Sequence, residues 1–449
     1  MKFERQLQSW PGALVERPGA WGRPALLLFA LASVWQTAPA NLGLGFALLA
    51  AGFALRQHWQ KGDRPDAVGY TAILLMVWLS LRIVLQGFGL ADAALVRPAA
   101  GYVDWLAPLS FVLLASLMSP AHWRRWLCLL WLLALAGCTI GVLGFLLAKG
   151  PMILWSDQRL GFHLNRALGI GLYAGVFLIL LVASARYWWQ VASPWRWPVR
   201  VLALALILLY GQVQFSAQNR STWLALLIVV LVALPWWGWR MRRSNALGWQ
   251  RLVLLSLVIG GILVMAGIAN RNALQARLGA EHDVVRTISE TGLSSTSYSS
   301  ISARLRLWQF VLTRWPDARW MGHGFGGMQE TVDAFGRGIA HRPDEERFDH
   351  VHNSYLQTLW TQGVIGVALW TALIVLLLRD VHRAARFNAE VRALLPALWA
   401  ALGFVAVWAC FDYRLSHPDM RCFSILLLLS LRLLGQAGTE GSTAPSSSA

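Results

Sequence analysis

The sequence is poor in charged residues and in lysine. Only 14% of the 449 residues are Asp, Glu, Lys or Arg, against roughly 25% in soluble globular proteins. Of the 39 basic residues, three are lysine, at Lys2, Lys61 and Lys149. With 57% hydrophobic residues, this scarcity excludes an ordinary soluble enzyme. Short alternating strands are missing too, which excludes a membrane barrel. We therefore predict an all-α polytopic membrane protein.

Cysteine is scarce, and its spacing is not that of a zinc site. Cys128, Cys138, Cys410 and Cys422 all lie in or beside apolar runs. Cys410 and Cys422 flank one short loop, so a disulfide is possible, although two buried thiols are favoured. No cleavable signal peptide is apparent before the first apolar run, which begins near Pro24.

Motifs that hold metals or nucleotides are also lacking. The chain has no Asp-x-Asp pair, and its one Glu-x-Asp, Glu281-His282-Asp283, lies far along the chain from the other candidate residues. The Gly-rich stretch 322–327 lacks the Lys and Ser/Thr of a phosphate-binding loop and is better explained as a turn. We expect no metal and no cofactor.

Long apolar runs are what the sequence does have. Each predicts a membrane helix, because a helix that rises 1.5 Å per residue needs roughly 20 residues to cross the hydrocarbon. Lys and Arg concentrate in alternate loops, which predicts that both termini lie inside. The predicted spans, about 12, lie near 24–39, 41–56, 67–87, 104–119, 126–148, 165–185, 199–217, 221–238, 250–269, 352–378, 393–411 and 421–436.

These spans divide the chain into four parts. Residues 1–270 hold membrane helices 1–9, residues 271–350 form a large loop outside, residues 351–436 hold helices 10–12, and residues 437–449 form a disordered tail inside. The loop contains a predicted amphipathic helix at 303–315, where apolar residues recur at three- and four-residue spacing. As the one long water-facing segment, this loop is where we expect the active site.

Arg220 lies in a tight turn between two spans, Gln218-Asn219-Arg220-Ser221. An arginine that merely extends to the head groups is the alternative. The turn is too short to carry the guanidinium far from the bundle, and an arginine fixed at membrane depth is a functional candidate. Its planar guanidinium group, which donates paired N–H hydrogen bonds, suits a phosphate or diphosphate group.

Further arginines are weaker members of the same cationic group. Arg304 precedes Trp308 by one helical turn, whereas Arg306 points elsewhere on the same helix. Arg159 and Arg166 precede the sixth span. For Arg304 and Arg306, the alternative is that each lies on a solvent-exposed face of the helix.

His352 begins a predicted span beside Asn353, at the boundary between water and membrane. An imidazole there is either an interfacial polar residue or a general base that takes a proton from an attacking hydroxyl. Asp349, His350 and His352 also allow a metal site, which we consider the weaker interpretation. Asp412 opens the last outside loop, as the partner of an arginine or as part of an acceptor site.

These residues carry a resemblance to a known family. His352-Asn353, nine residues, Gly363, two residues and Gly366 resemble the His-[Asn/Ser/Gln]-x9-Gly-x-x-Gly signature of bacterial O-antigen ligases. The turn from Arg304 to Trp308, the Gly-rich turn after it, and twelve spans with one large loop between spans nine and ten look like the wider O-antigen ligase and polymerase family.

The resemblance implies a metal-independent, inverting glycosyltransferase of the GT-C type, in the bacterial inner membrane with a periplasmic active site. Its donor would be O-antigen on undecaprenyl diphosphate, and its acceptor the lipid A–core oligosaccharide. Arg220 and Arg304 would bind the donor diphosphate, and His352 would activate the acceptor hydroxyl. Asp412 is aligned with a further family acid, and His323, in Gly322-His323-Gly324, has no role assigned by the family pattern.

Three other functions remain open at this stage. An O-antigen polymerase uses the same donor but extends the glycan, and a protein O-oligosaccharyltransferase gives it to Ser or Thr. A transporter is a different class. It is disfavoured because the chain has a large outside loop and lacks paired broken helices in two matching halves.

Overall fold

A computed structural model describes residues 16–87, 96–156, 158–162, 167–244, 299–325, 350–415 and 417–437, with short pieces at 267–268, 270–271, 275, 284–290 and 292–293. Regular structure in these residues is helical, which confirms the all-α prediction. Three predicted features fall wholly or mostly outside them: the ninth span at 250–269, the loop at 271–350 and the tail at 437–449.

The helices are labelled α1 to α14 in chain order. Their bounds are α1 Pro18–Ala32, α2 Thr37–Gln60, α3 Ala67–Gly87, α4 Val96–Leu106, α5 Phe111–Ala115, α6 Trp123–Lys149, α7 Ala167–Ala183, α8 Ala185–Trp189, α9 Arg196–Ser216, α10 Arg220–Ser244, α11 Ser300–Arg314, α12 Ser354–Phe387, α13 Ala389–Ala409 and α14 Pro418–Gln436.

Six helices in the described part of the chain are long and apolar enough to cross a membrane. They are Thr37–Gln60, Ala67–Leu85, Pro120–Lys149, Arg196–Ser216, Ser354–Phe387 and Ala389–Ala409. Shorter apolar helices lie at Gly101–Ala115, Gly169–Ala183 and Arg220–Val232. The chain is therefore a multi-pass membrane protein, and twelve spans stay a prediction.

The first two predicted spans form a hairpin whose turn lies earlier than predicted. α1 ends at Ala32 and α2 begins at Thr37, so the break is at 33–36 and not near residue 40. Pro39 falls in the first turn of α2, where its missing N–H does not interrupt the helix. α1 and α2 pack closely at Gly43, where a Cβ atom would lie 2.7 Å from the Phe29 nitrogen.

The predicted span at 104–119 is not one continuous helix. α4 ends at Leu106, a 3₁₀ turn follows over Ala107–Ser110, and α5 covers Phe111–Ala115. Pro108 lies in that turn and has no N–H to donate to an α-helical ladder, which accounts for the break.

α14 is the central helix of the bundle. It is apolar around its circumference and packs against α5, α6 and α12. A helix that is hydrophobic on all sides is stable only inside other protein or lipid. Within α14, the buried Ser430 accepts a 2.8 Å hydrogen bond from Trp131 Nε1 on α6. Cys422 is buried within this helix, and none of the four cysteines forms a disulfide.

Segments predicted to lie on the same side of the membrane meet at the same end of the bundle. At one end, here called the site end, Arg159 Nε donates to the Ala217 carbonyl at 3.4 Å. At the opposite end, Arg124 pairs with Glu390 at 2.7 Å. This arrangement agrees with the alternation of loops that the Lys and Arg distribution predicts.

α12 contains a break at Gly363, where φ is +66° and ψ is −169°. The loop after α11 enters this break and hydrogen-bonds to α12. Val364 N donates to the Arg319 carbonyl at 2.8 Å, and His323 N donates to the Trp360 carbonyl at 2.7 Å. Through these hydrogen bonds, the loop after α11 is attached to α12 at the break. α11 is thereby held against the helix that begins next to His352.

Gly363 of the Gly-x-x-Gly pair allows this close approach, whereas Gly366 leaves room for a side chain of α12 itself. A Cβ atom at Gly363 would lie 2.4 Å from the Trp320 carbonyl oxygen, and one at Gly366 would lie 2.3 Å from the Gln362 Cβ. The positive φ at Gly363 disfavours any L side chain in addition. Gly363 is therefore explained by packing between backbone segments, and Gly366 by packing against the Gln362 side chain.

We predict that Gly363→Ala destabilises the protein by at least 1–2 kcal/mol, because it combines a left-handed backbone with a clash. Gly211→Ala is the matched control. Gly211 lies inside α9 with open space around it, so alanine there should be neutral or stabilising by up to about 1 kcal/mol. Thermal unfolding in detergent measures both, and equal melting temperatures would contradict the docking described here.

Candidate active site

His352 is held between two anchored neighbours at the start of α12. The Val351 carbonyl accepts a 3.0 Å hydrogen bond from Trp308 Nε1, and Val351 N donates to Gln357 Oε1 at 3.0 Å. Asn353 caps the helix, since its Oδ1 accepts from Tyr355 N and Leu356 N, each at 3.0 Å. The cap and the Trp308 contact together fix the position of the imidazole.

The backbone of His352 has a φ of +51°, in the left-handed region. For a residue other than glycine this conformation costs on the order of 1–3 kcal/mol, and such outliers cluster at functional sites. The hydrogen bonds of the two neighbours, Val351 and Asn353, hold His352 in this conformation. The strained backbone of His352 therefore makes it a candidate functional residue.

Asp412 lies beside His352 and is almost fully buried. The separation between His352 Nδ1 and Asp412 Oδ1 is 3.8 Å, with the two side chains 22% and 1% exposed. This is ion-pair range but too long for a hydrogen bond. The same carboxylate oxygen accepts from Tyr413 N at 2.9 Å, and Ser354 Oγ donates to the Asp412 carbonyl at 2.8 Å.

The electrostatic surroundings keep Asp412 ionised. Burial alone would raise the pKa of this carboxyl group. Its interactions with His352, His350 and Arg414 outweigh burial and hold the pKa below its usual value. A buried carboxylate is thus fixed next to an imidazole that water can still reach.

His350 completes the cluster. Its ring centroid lies 4.2 Å from that of His352 and 5.6 Å from that of Tyr413. Burial, followed by the neighbouring His352, lowers the pKa of His350 to about 3. His350 is therefore a neutral imidazole at physiological pH.

The ligand atoms of His350, His352 and Asp412 all lie within 4.8 Å of one another, close enough to be considered as a metal site. Two guanidinium groups act on the same carboxylate, Arg304 from α11 and Arg414 from the loop before α14. Positive charge at that position opposes a cation and favours an anion.

Arg304 reaches this cluster from α11. Burial lowers the pKa of its guanidinium, and the nearby Asp412 carboxylate partly reverses this effect. Trp308, one turn later, packs at 6.3 Å from Phe411, the residue before Asp412. The apolar face predicted for α11, which was Leu305, Trp308, Leu312 and Trp315, is not the face that is buried. Trp308 packs at the site, but Leu312 is exposed, and the large apolar residues that are buried are Leu307, Phe310 and Val311.

Arg220 begins α10 at the same end of the bundle. Its turn is locked locally, because Ser221 Oγ donates to Asn219 Oδ1 at 2.6 Å. The first turn of α7 contacts both this turn and the loop after Asp412. A Cβ atom at Gly171 would lie 3.3 Å from Asn219 Cβ, and one at Gly169 would lie 2.6 Å from Asp419 Oδ2. Arg220 therefore lies near the same level of the bundle as Asp412.

The remaining candidates have other surroundings. Arg306 donates to the Leu293 carbonyl at 2.9 Å, and Arg159 hydrogen-bonds at the Arg220 turn. His323 stacks on Trp360, with centroids 3.9 Å apart, so it contacts α12 about two turns beyond His352. Arg166 lies outside the described residues.

A family model described as O-antigen ligase matches residues 202–371. Over these residues the chain is similar to that family. The resemblance drawn from the sequence is confirmed in this segment, which contains Arg220, Arg304 and His352 but not Asp412. The match supports ligation or polymerisation of a lipid-linked glycan as the activity. A comparison with curated proteins finds no match.

Two residues of the candidate site were not singled out as site residues in the sequence analysis. His350 was considered only with the metal interpretation, and Arg414 only as part of Asp412-Tyr413-Arg414. The signal for Arg414 was present, because a charged pair at the end of an apolar helix is costly unless it meets partners. The signal for His350 appears only once the fold turns its ring onto His352.

We predict that Asn353→Ala and Asn388→Ala each lower stability by about 1 kcal/mol, because each removes a helix cap. Asn388 caps α13 at the opposite end in the same way, by accepting from Glu390 N and Val391 N. Only Asn353→Ala should also lower activity, since it releases His352. Asn353→Ser, which keeps a capping oxygen, should restore activity. Equal activity losses in the two alanine variants would contradict this role.

Proposed function

We propose that this chain is an inverting glycosyltransferase that moves O-antigen from undecaprenyl diphosphate onto the lipid A–core oligosaccharide, at the periplasmic face of the bacterial inner membrane. The observation that carries the proposal is the partly exposed His352 beside the buried Asp412, with Arg304 close to the same carboxylate. This combination suits a reaction that needs a base, a fixed carboxylate and a cation for a departing anion.

His352 acts as the general base in this proposal. With Nδ1 directed at Asp412, the neutral imidazole carries its proton on Nδ1, and Nε2 becomes the basic nitrogen. Asp412 stabilises the imidazolium that forms when the proton arrives. The carboxylate thus orients the ring and compensates its charge, as in other acid–histidine pairs.

Arg304 and Arg220 bind the donor diphosphate. Guanidinium groups contact phosphate oxygens through paired N–H donors and remain charged in a partly buried site. Their charge stabilises the diphosphate as it departs, which is the task that a divalent cation performs in many other transferases. Arg159, beside the Arg220 turn, is an auxiliary donor in this arrangement.

The chemical step is one displacement. The acceptor hydroxyl oxygen attacks the anomeric carbon of the donor sugar, and the bond from that carbon to the diphosphate oxygen breaks. The bonding electron pair leaves with the undecaprenyl diphosphate, and the hydroxyl proton moves to His352 Nε2. A single displacement inverts the configuration at the anomeric carbon.

We predict that His352→Ala lowers the transfer rate by about 10²–10⁴-fold, the usual contribution of a general base. The protein should remain folded, because the side chain is partly exposed and little packing is lost. The assay uses purified protein, lipid-linked O-antigen and rough lipopolysaccharide, with EDTA and no added metal. Transfer at the wild-type rate by this variant would refute the assignment.

The acceptor separates ligation from its rivals. A ladder on rough lipopolysaccharide supports ligation, whereas longer glycan on the polyprenyl carrier without that acceptor supports polymerisation. Glycan attached to Ser or Thr of a peptide would support protein glycosylation. Substrate flux across vesicles by the His352→Ala variant would support a transporter.

Arg304→Ala and Arg220→Ala should each weaken donor binding by roughly 10–100-fold, the effect of losing a hydrogen bond between charged groups. The Arg304→Lys and Arg220→Lys variants should recover only part of the donor affinity, because an ammonium group lacks the paired N–H donors of a planar guanidinium group. Arg314→Ala is the matched control on α11, where Arg314 is exposed and lies near Asp317. Binding of undecaprenyl diphosphate measures all of these. Full recovery by lysine would indicate simple charge attraction.

A further inference from the structure

The end of α11 and the turn after it carry large apolar side chains on a second side, away from the buried face. The buried face, centred on Phe310, packs inside the protein. On the second side, Leu312 is 54% exposed and Trp320 is 60% exposed, with Trp315 half-buried between them. These three residues are here called the corner patch. Large apolar side chains on two sides of one element are stable against protein or lipid and costly in water.

The backbone of the corner patch is attached to two helices that are long and apolar enough to span a membrane. Ile365 N of α12 donates to the Trp320 carbonyl at 3.3 Å. Arg82 Nη2 of α3 donates to the Gly322 carbonyl at 3.0 Å. The exposure of Trp320 therefore belongs to a docked backbone and not to a free end.

The attachment point on α12 lies inside a membrane span. From Val364 to Leu378 this helix contains no charged residue, and Arg379 follows. A span of roughly 20 residues that ends at Leu378 begins about four residues before Gly363. Trp320 is thus joined to α12 slightly inside the site-end limit of the hydrocarbon.

α3 places the corner patch at the same level. Leu81 and Leu85, which lie on either side of Arg82 along α3, are 44% and 43% exposed. Apolar side chains that a spanning helix exposes at this depth face lipid, because lipid is the solvent there. The corner patch is therefore continuous with a lipid-facing surface, which makes the bilayer the partner that its surroundings indicate.

The chemistry of the patch fits the boundary between hydrocarbon and head groups. Tryptophan is enriched at that boundary, where an amphipathic ring contacts both regions. Arg314 and Arg319, next to the patch, are exposed, and guanidinium groups suit the phosphates of lipid head groups. Asp317 lies 3.8 Å from Arg314 and offsets part of this charge. The apolar contact is thus the main attraction.

We propose that the corner patch lies in the head-group layer of the bilayer at the site end, so that part of the loop expected in water returns to the membrane. Leu312 and Trp320 enter the edge of the hydrocarbon there. Arg304 lies about 12 Å back along α11 from Leu312, at 1.5 Å per residue. The patch therefore keeps the candidate site close to the lipid head groups. This placement holds whichever reaction the site performs.

The experiment measures the depth of single positions in the full chain, reconstituted in phosphatidylglycerol and phosphatidylethanolamine vesicles. A fluorescent non-standard amino acid replaces Leu312 or Trp320, where little packing is lost because both side chains are exposed. Val375, 56% exposed on α12, is the deep control, about 18 Å further along the helix than Gly363. Glu290, with a side chain 57% exposed in an ion pair with Arg286, is the water control. Thermal unfolding checks that each labelled protein is folded.

Three quenchers distinguish the environments: a lipid that carries a spin label at its head group, a lipid that carries it in the middle of the acyl chain, and aqueous iodide. Labels at Leu312 and Trp320 should lose more fluorescence to the head-group label than to either other quencher. The label at Val375 should lose most to the acyl-chain label, and the label at Glu290 most to iodide.

Labels at Leu312 and Trp320 that lose most fluorescence to iodide would overturn the proposal, because the patch would then face water. Protection from all three quenchers would overturn it too, since protein and not lipid would cover the patch. Stronger quenching by the acyl-chain label would place the patch too deep for a head-group contact. Transfer by His352→Ala at the wild-type rate would refute the proposed function and leave these results unchanged.

Discussion

The contact between His352 and buried Asp412 is the interaction on which the candidate site depends. It joins the start of α12 to the end of α13, two helices that run away from the site end and return to it. Ser354 Oγ ties the same two segments through the Asp412 carbonyl. Since α11 reaches this junction through Trp308 and Val351, one point gathers the proposed base, its carboxylate partner and a guanidinium group. A shift of either helix along its axis by one turn, about 5.4 Å, would separate them.

The docking at Gly363 explains how such a shift is prevented. The loop after α11 hydrogen-bonds into the break of α12, and the Gly322 carbonyl also accepts a 3.0 Å hydrogen bond from Arg82 on α3. An amphipathic helix on the membrane surface would otherwise be free to slide, because lipid offers it no directional contact. Here backbone hydrogen bonds on one side and a buried arginine on the other fix its depth. Gly363 of the His–Gly motif therefore helps to position Arg304 as much as His352.

The parts of this arrangement that follow local rules could be predicted from the sequence. The helix over 303–315 follows from apolar periodicity, and it begins at Ser300 because Ser299 forms a capping box. The position of His352 at a helix start follows from Asn353. The meeting of Asp412 with His352 could not be predicted, because it depends on the lengths of α12 and α13, 34 and 21 residues. Apolar runs alone do not show where such unequal helices end relative to each other. His323 illustrates the same limit, since its stacking on Trp360 depends on a break that the sequence shows only as a glycine.

Charge explains why these residues form one site and not several. Asp412 is a buried anion surrounded by two imidazoles and two guanidinium groups, so the cluster of these five groups is positive even when both imidazoles are neutral. A diphosphate carries the opposite charge and would be stabilised there, more strongly than in water because the site is partly shielded from solvent. The same field works against proton transfer to His352 until the carboxylate compensates it. In the proposed reaction, Asp412 would thus reconcile two requirements: cations that hold the leaving group, and a base that can accept a proton next to those cations. A site of this kind needs its one anion close to the imidazole and away from the diphosphate, and burial at the end of α13 keeps Asp412 there.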